Sequence, residues 1–190
     1  HRIYFSRVSR IEEVTDNYLI FVSGDFADIP AFTGGITALP IIDDKLHART
    51  EQSLWSLYTK EETLTTGSLN LQIGTGEMFS IPPKQLFSTA SGYAGGINRW
   101  TDASTENGYF WVNQKDGEIY LAQQQVKEIS KDGMFSWFRK YLPSQFEAQL
   151  LSLTGRTYPY ADAPHYKYGI GMIATYDPKF KRYILTKKDY

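Results

Sequence analysis

The sequence contains no cysteine. This absence excludes a disulfide framework, a thiolate zinc site and a cysteine nucleophile. Histidine is scarce as well: only His1, His47 and His165 occur, and no His-x-x-x-His pair is present. A zinc-protease helix is therefore excluded, and His47 is expected to be a half-buried strand residue. No apolar run approaches the ~18 residues that a membrane-spanning helix needs.

The chain also lacks an excess of charge of either sign. It has 20 basic and 21 acidic residues, which gives a net charge of −1. A nucleic-acid site requires a basic face, and the sequence shows none, so no specific nucleic-acid partner is predicted. Five basic residues cluster near the end of the sequence, at positions 179, 181, 182, 187 and 188. They are interpreted as a solvated strand edge, where lysine discourages pairing between molecules.

The common catalytic motifs are missing too. There is no Gly-x-Ser-x-Gly elbow and no Walker sequence, and Gly74-Thr-Gly76 lacks the third glycine of a dinucleotide loop. The segment 102–108 is rich in oxygen-bearing side chains, which calcium prefers, but its glycine register differs from that of an EF-hand. It is interpreted as a hairpin turn. We therefore predict no catalytic residue, no cofactor and no metal ion, and a protein that is not an enzyme.

What the sequence does have is aromatic residues and a recurring hairpin pattern. Hydrophobic residues make up 42% and aromatic residues 15% of the chain, enough to build a core. An apolar run, a polar turn and a second apolar run recur at 46–59, 108–122 and 172–186. The centres lie roughly 60 to 65 residues apart, at or beyond the upper limit of a propeller-blade period. The predicted fold is mainly β, with propeller-like antiparallel blades and a short helical-hairpin insertion.

The strand signals are unevenly distributed along the chain. Residues 24–35 read as a loop and residues 60–90 as a long connection with one strand, 69–73. Lys115-Asp-Gly117 is the strongest hairpin signal. The other predicted strands are 2–8, 18–23, 36–42, 45–49, 53–59, 94–101, 108–113, 118–122 and 127–129.

These signals divide the chain into four predicted units. Residues 1–35 hold strands and a loop that complete a neighbouring β unit, and 36–90 form a blade-like unit with a long loop. Residues 91–153 form a blade-like unit plus the helical hairpin, and 154–190 form an incomplete β unit. The sequence begins directly in a strand-like run, so we expect a fragment or cleavage product of a longer polypeptide. The missing strands would come from elsewhere in the same assembly.

The helical hairpin and the loop after it contain the candidate contact residues. Apolar residues between 134 and 142 have nearly helical spacing, and Ser144-Gln-Phe-Glu147 is a capping-box pattern that begins a second helix, which Gly155 ends. We expect the aromatic residues of the first helix to pack on a sheet, or to anchor a neighbouring subunit. The possible interface residues are Phe135, Trp137, Phe138, Tyr141, Tyr158, Tyr160 and Tyr166.

An ordered series of segments resembles a bacteriophage family. The series consists of Ser91–Trp100, the hairpin 108–122, the Asp132-Gly-Met-Phe-Ser-Trp-Phe helix and the Tyr176-Asp-Pro hairpin. It is similar to the tail muzzle, or tail-stabilisation, proteins of crAss-like and related short-tailed phages, over about residues 90–190 and more loosely 36–60.

The resemblance implies a structural virion subunit at the distal end of the tail, in a homo-oligomeric ring around the exit channel. It would form or seal that channel together with other tail proteins, other copies or a second fragment of the same polypeptide. Assembly in the host cytoplasm and location in the virion tail follow from this. The resemblance transfers no catalytic residue.

One alternative function remains open at this stage. A propeller could bind or hydrolyse glycans, because tyrosine and tryptophan faces suit sugar stacking. The tyrosine-rich loop at 154–168, with Tyr158, Tyr160, Tyr166 and Tyr168, would form the platform. Carboxylate-dependent turnover of a polysaccharide would favour this alternative over the structural role.

Overall fold

The fold is mainly β, as predicted, and its sheets are antiparallel. The computed structural model describes residues 1–7, 14, 16–59, 62–66, 69–73, 78–88, 93–142, 146–156 and 169–188. Within these ranges the strands form five sheets of two to five strands, and two α-helices follow the four-stranded sheet along the chain. None of the described sheets closes into a barrel or a propeller, so the propeller stays a prediction.

The first sheet is a two-stranded arm made of β1 (Arg2–Ser6) and β2 (Phe21–Asp28). The predicted loop at 24–35 is therefore wrong for its first five residues, which belong to β2. At the end of this extension the Arg2 guanidinium binds both carboxylate oxygens of Asp28 across the ladder at 2.7 and 2.9 Å. A 3₁₀ turn at Asn17–Leu19 replaces the start of the strand predicted at 18–23.

The second sheet contains the first predicted hairpin repeat. Its strands are β3 (Ile36–Ala38), β4 (Ile41–Ile42), β5 (Lys45–Thr50), β6 (Leu54–Ser56) and β9 (Lys84–Gln85). Asp43 and Asp44 both have positive φ, which a tight hairpin turn between β4 and β5 requires. A separate hairpin of β7 (Glu62–Thr66) and β8 (Leu69–Ile73) occupies part of the predicted connection, so only one of its two strands was predicted.

The third sheet is a four-stranded meander and has the strand count of a propeller blade. Its strands are β10 (Ala103–Thr105), β11 (Gly108–Asn113), β12 (Glu118–Ala122) and β13 (Val126–Glu128), paired in that order. The strand predicted at 94–101 is wrong. Ala94 makes only an isolated bridge to Ser53, and Arg99–Thr101 is a 3₁₀ turn whose cap, Asn98, accepts a hydrogen bond from the Trp100 amide at 3.2 Å.

The helical insertion and the last hairpin lie where the sequence predicts them. Helix α1 is Phe135–Tyr141 and helix α2 is Phe146–Thr154, and Gly155 after α2 has φ +68°. The final hairpin pairs β14 (Gly171–Asp177) with β15 (Arg182–Lys188). Its turn is closed by the Asp177 carboxylate, which accepts hydrogen bonds from the amides of Lys179 and Phe180 at 3.0 and 3.2 Å.

Among the described residues, three hydrophobic clusters form the core and connect the sheets. One joins Val112 and Ile119 of the meander to Leu142, Leu150 and Met172. A second surrounds Trp111 and Tyr120, and a third packs Trp55 and Leu57 against the base of the arm. The clusters cross the unit boundaries predicted at 35 and 153, and the four-unit division stays a prediction.

Candidate interface surfaces

The aromatic residues predicted as an interface divide between the core and the surface. Phe138 packs against the Val112 cluster and Phe135 is half-buried, whereas Trp137 and Tyr141 are 45% and 43% exposed. The rings of Trp137 and Tyr141 lie 5.2 Å apart on one side of α1. Met134, at the start of this helix, is also exposed. We expected these aromatic residues to pack on a sheet or to anchor a neighbouring subunit. Phe138 packs on the sheet, whereas Trp137 and Tyr141 are available for contact with another molecule.

Helix α1 is fixed to the meander by a buried carboxylate. Glu118 on β12 is fully buried and accepts hydrogen bonds from Arg139 of α1, at 3.0 Å, and from the Tyr120 hydroxyl. Burial raises the pKa of Glu118, and the bonds from Tyr120 and Arg139 oppose that rise. The Lys187 ammonium of β15 donates to the Tyr141 carbonyl at the end of the helix. These contacts hold the exposed side of α1 in a defined position.

A second apolar surface lies on the arm, and sequence reasoning did not single out its residues 18–21 as a contact surface. Tyr18, Leu19, Ile20 and Phe21 are all substantially exposed, and Phe32 in the following loop is 77% exposed. Consecutive exposed apolar residues are unusual on a monomeric surface and mark contact sites. The signal was present in the sequence, because Tyr18–Val22 is apolar throughout. It lacks the alternation of apolar and polar residues that marks a strand with one buried face.

The last hairpin presents a third exposed face. Met172 and Leu185 pack into the core, and Tyr183 stacks on Phe110 with ring centres 5.0 Å apart and donates to the Thr101 carbonyl at 2.6 Å. On the opposite face, Ile173 and Ile184 are 46% and 43% exposed. In the described part of the chain this hairpin pairs with no further strand.

The remaining predicted contact residues cannot be placed on these surfaces. Tyr158, Tyr160, Tyr166 and Tyr168, with the whole tyrosine-rich loop, lie outside the described residues. The alternative of a stacking platform built from them therefore remains a prediction.

A buried ion pair occupies the segment that was considered as a calcium loop. Asp102 bonds the Nη1 atom of Arg49, whose side chain has no exposure, so this carboxylate already has a cation as its partner. Burial raises the pKa of Asp102, while the charge of Arg49 opposes that rise. Among the described residues, no group of three or more histidine, cysteine, aspartate or glutamate side chains could hold a metal ion.

A family model described as "Crassvirus muzzle protein" matches residues 1–160. The chain belongs to the crassvirus muzzle protein family. Membership indicates a structural component of a phage tail and favours a non-catalytic role. A search of the curated proteins found no match, and no helix among the described ranges is long and apolar enough to cross a membrane.

The family match covers a different part of the chain from the resemblance seen in the sequence, which covered about residues 90–190 and more loosely 36–60. The match includes residues 1–35, in which no family feature was recognised, so the exposed arm is part of what the family shares. It ends before the last hairpin, although that hairpin was one of the segments that suggested the family. The exposed surfaces of the arm and of α1 both lie inside the matched region.

Proposed function

We propose that this chain is a subunit of the distal tail muzzle, where copies of it assemble into a ring that forms or seals the exit channel. The family match over residues 1–160 is the observation that carries the proposal. The subunit would act with other tail proteins and with another part of a longer or cleaved polypeptide. It would be assembled in the host cytoplasm, remain in the virion and catalyse no reaction.

The exposed surfaces support an assembled state. Exposed apolar side chains gather on the arm, on α1 and on the last hairpin, and contiguous exposed apolar patches mark interaction sites. Tryptophan and tyrosine are favoured at the centres of protein interfaces. In the proposed ring, the arm of one subunit completes a β unit of its neighbour, and the meander β10–β13 serves as a propeller-like blade.

The α1 surface gives a direct test of the ring. Trp137→Ala is expected to weaken self-association by about 30-fold, because a buried interface tryptophan contributes about 2 kcal/mol or more. Sedimentation velocity over a concentration series measures the effect, with the wild-type chain forming species heavier than the 21.8 kDa monomer.

Trp100→Ala is the matched control, since Trp100 is 47% exposed and belongs to neither the α1 surface nor the arm surface described above. This variant should associate like the wild type. A wild-type chain that stays monomeric at every concentration, or equal association of the two variants, would contradict the ring.

A further inference from the structure

A polar cleft separates the second sheet from the turn that joins β12 to β13. It has a volume of about 490 Å³, and a second cleft of about 510 Å³ adjoins it. The two share Ile42, Asp43, Ala122, Gln123 and Gln124, so they form one continuous groove. Either volume lies within the range of about 300–1,000 Å³ that is usual for small-ligand sites.

His47 places a hydrogen-bond acceptor in this groove. Its side chain is buried rather than half-buried as expected, and its Nδ1 atom lies 2.8 Å from the Lys45 carbonyl oxygen. A carbonyl only accepts, so Nδ1 carries the proton and Nε2 holds a lone pair. Nε2 has no hydrogen-bond partner within the described part of the chain. Burial lowers the pKa of His47, which keeps the ring neutral at pH 7.

Other neutral polar groups line the same groove. The hydroxyls of Ser56 and Tyr58 and the side-chain amides of Gln124 and Gln125 contribute to its wall. None of these four side chains has a hydrogen-bond partner among the residues that the structure describes. Gln124 and Gln125 are exposed, and among the described residues Arg49 Nη2 alone is a fully buried side-chain atom without a partner. The Ser56 and Tyr58 hydroxyls, the glutamine amides and His47 Nε2 are therefore accessible from the groove, where a ligand that supplies both donors and acceptors can reach them.

The charges at the groove are balanced. Asp43, Lys45 and Lys84 line the cleft that contains His47. Glu106 in the adjoining cleft is paired with Lys181 at 3.2 Å. A strongly anionic ligand would meet carboxylates in both clefts, and a cation would meet the lysines. Phe87 and the Tyr58 ring add apolar area of the kind on which a sugar ring packs.

We propose that this groove binds a neutral carbohydrate, an uncharged glycan segment whose hydroxyls bond His47 Nε2, Ser56, Tyr58 and the glutamine amides. Sugar hydroxyls both donate and accept, which matches this mixed set of groups. The proposed site uses no residue of the tyrosine-rich loop. It lies within one chain, so it does not depend on ring assembly.

The test combines a glycan array with a titration followed by nuclear magnetic resonance. The array carries neutral and uronic-acid-containing bacterial oligosaccharides, and we expect at least one neutral glycan to bind the full chain. On titration with that glycan, the ¹⁵Nε2 signal of His47 should move, because a donated hydrogen bond changes the shielding of that nitrogen. A general change in the fold would shift many signals and would not single out the Nε2 signal of His47.

Conservative variants connect the binding to the groove. Tyr58→Phe and Ser56→Ala should each weaken binding about 5- to 10-fold, the effect of one lost hydrogen bond. Tyr4→Phe is the matched control, because Tyr4 is exposed on the arm and does not line the groove, and it should bind like the wild type. Unfolding curves check that each variant is folded.

Three results would overturn the proposal. The first is an array on which no neutral glycan binds, including the case in which only acidic glycans bind. The second is binding that Tyr58→Phe and Ser56→Ala leave unchanged. The third is an effect of these variants on sedimentation alone, which would show that a segment of another copy fills the groove. Glycan binding and ring assembly are read out separately, so failure of one is distinguishable from failure of the other.

Discussion

Asp102→Asn should lower the free energy of unfolding by about 3–5 kcal/mol, the usual cost of removing one partner from a buried ion pair. Arg49 has no exposed side-chain surface, and Asp102 is its only carboxylate partner among the described residues. Thr37 accepts from Arg49 Nε at 3.2 Å, and the Tyr109 hydroxyl lies 3.5 Å from Nη1, but both are neutral groups. The variant therefore leaves an uncompensated charge in the core.

The position of this pair increases the effect. Arg49 is on β5 and Asp102 precedes β10, so the pair joins the second sheet to the meander. The Nη2 atom of Arg49 is buried and has no hydrogen-bond partner within the described ranges, so no spare acceptor there can replace the carboxylate. Loss of Asp102 should destabilise the contact between the two sheets.

Urea-induced unfolding followed by tryptophan fluorescence measures this prediction. Asp132→Asn is the control, because Asp132 also pairs with a cation, Lys127, at 2.5 Å, but both side chains are about 60% exposed. An exposed pair contributes about 1 kcal/mol or less. Equal losses for the two variants would show that the Arg49–Asp102 pair is not the buried link described here.

The second large effect is expected for Trp111→Ala, which should cost about 3–5 kcal/mol of unfolding free energy. Trp111 is fully buried and stacks on Tyr120 with ring centres 5.3 Å apart. Its indole nitrogen donates to the Gly95 carbonyl at 3.2 Å. Alanine would leave a cavity at the centre of the second core cluster and an unpaired backbone carbonyl.

The control for this variant is again Trp100→Ala, whose half-exposed side chain can be removed at a cost within about 0.5 kcal/mol. Chemical unfolding followed by far-ultraviolet circular dichroism avoids the loss of a fluorescent reporter in either variant. A Trp111→Ala protein that unfolds at the wild-type midpoint would contradict the packing of this cluster.

The hairpins were predictable because their signals are local. Asp116-Gly117 and Asp43-Asp44 adopt the positive φ values that tight turns need, at Gly117 and at both aspartates. The strand predicted at 94–101 failed for a non-local reason. A Cβ on Gly95 would lie 2.3 Å from the Gln52 backbone, so this glycine marks a close chain crossing rather than a strand. Strand β10 was missed because it is short and mostly polar.

The candidate surfaces, too, depend on non-local contacts that local sequence signals do not reveal. Apolar spacing predicted helix α1, but which aromatic residues face outward depends on the contact of Phe138 with the Val112 cluster. Which nitrogen of His47 is unpaired depends on the hydrogen bond to the Lys45 carbonyl. The groove that His47 lines also depends on a turn more than 70 residues away in sequence. Neither arrangement has a periodicity or spacing that a single sequence reveals.

The most direct test of the central claim is the position of this chain in the phage particle. Virions labelled with an antibody fragment raised against the purified chain would be imaged by electron cryo-microscopy. The proposal predicts label density arranged in a ring at the distal end of the tail. Intact virions that carry no label, or label confined to the capsid, would contradict it.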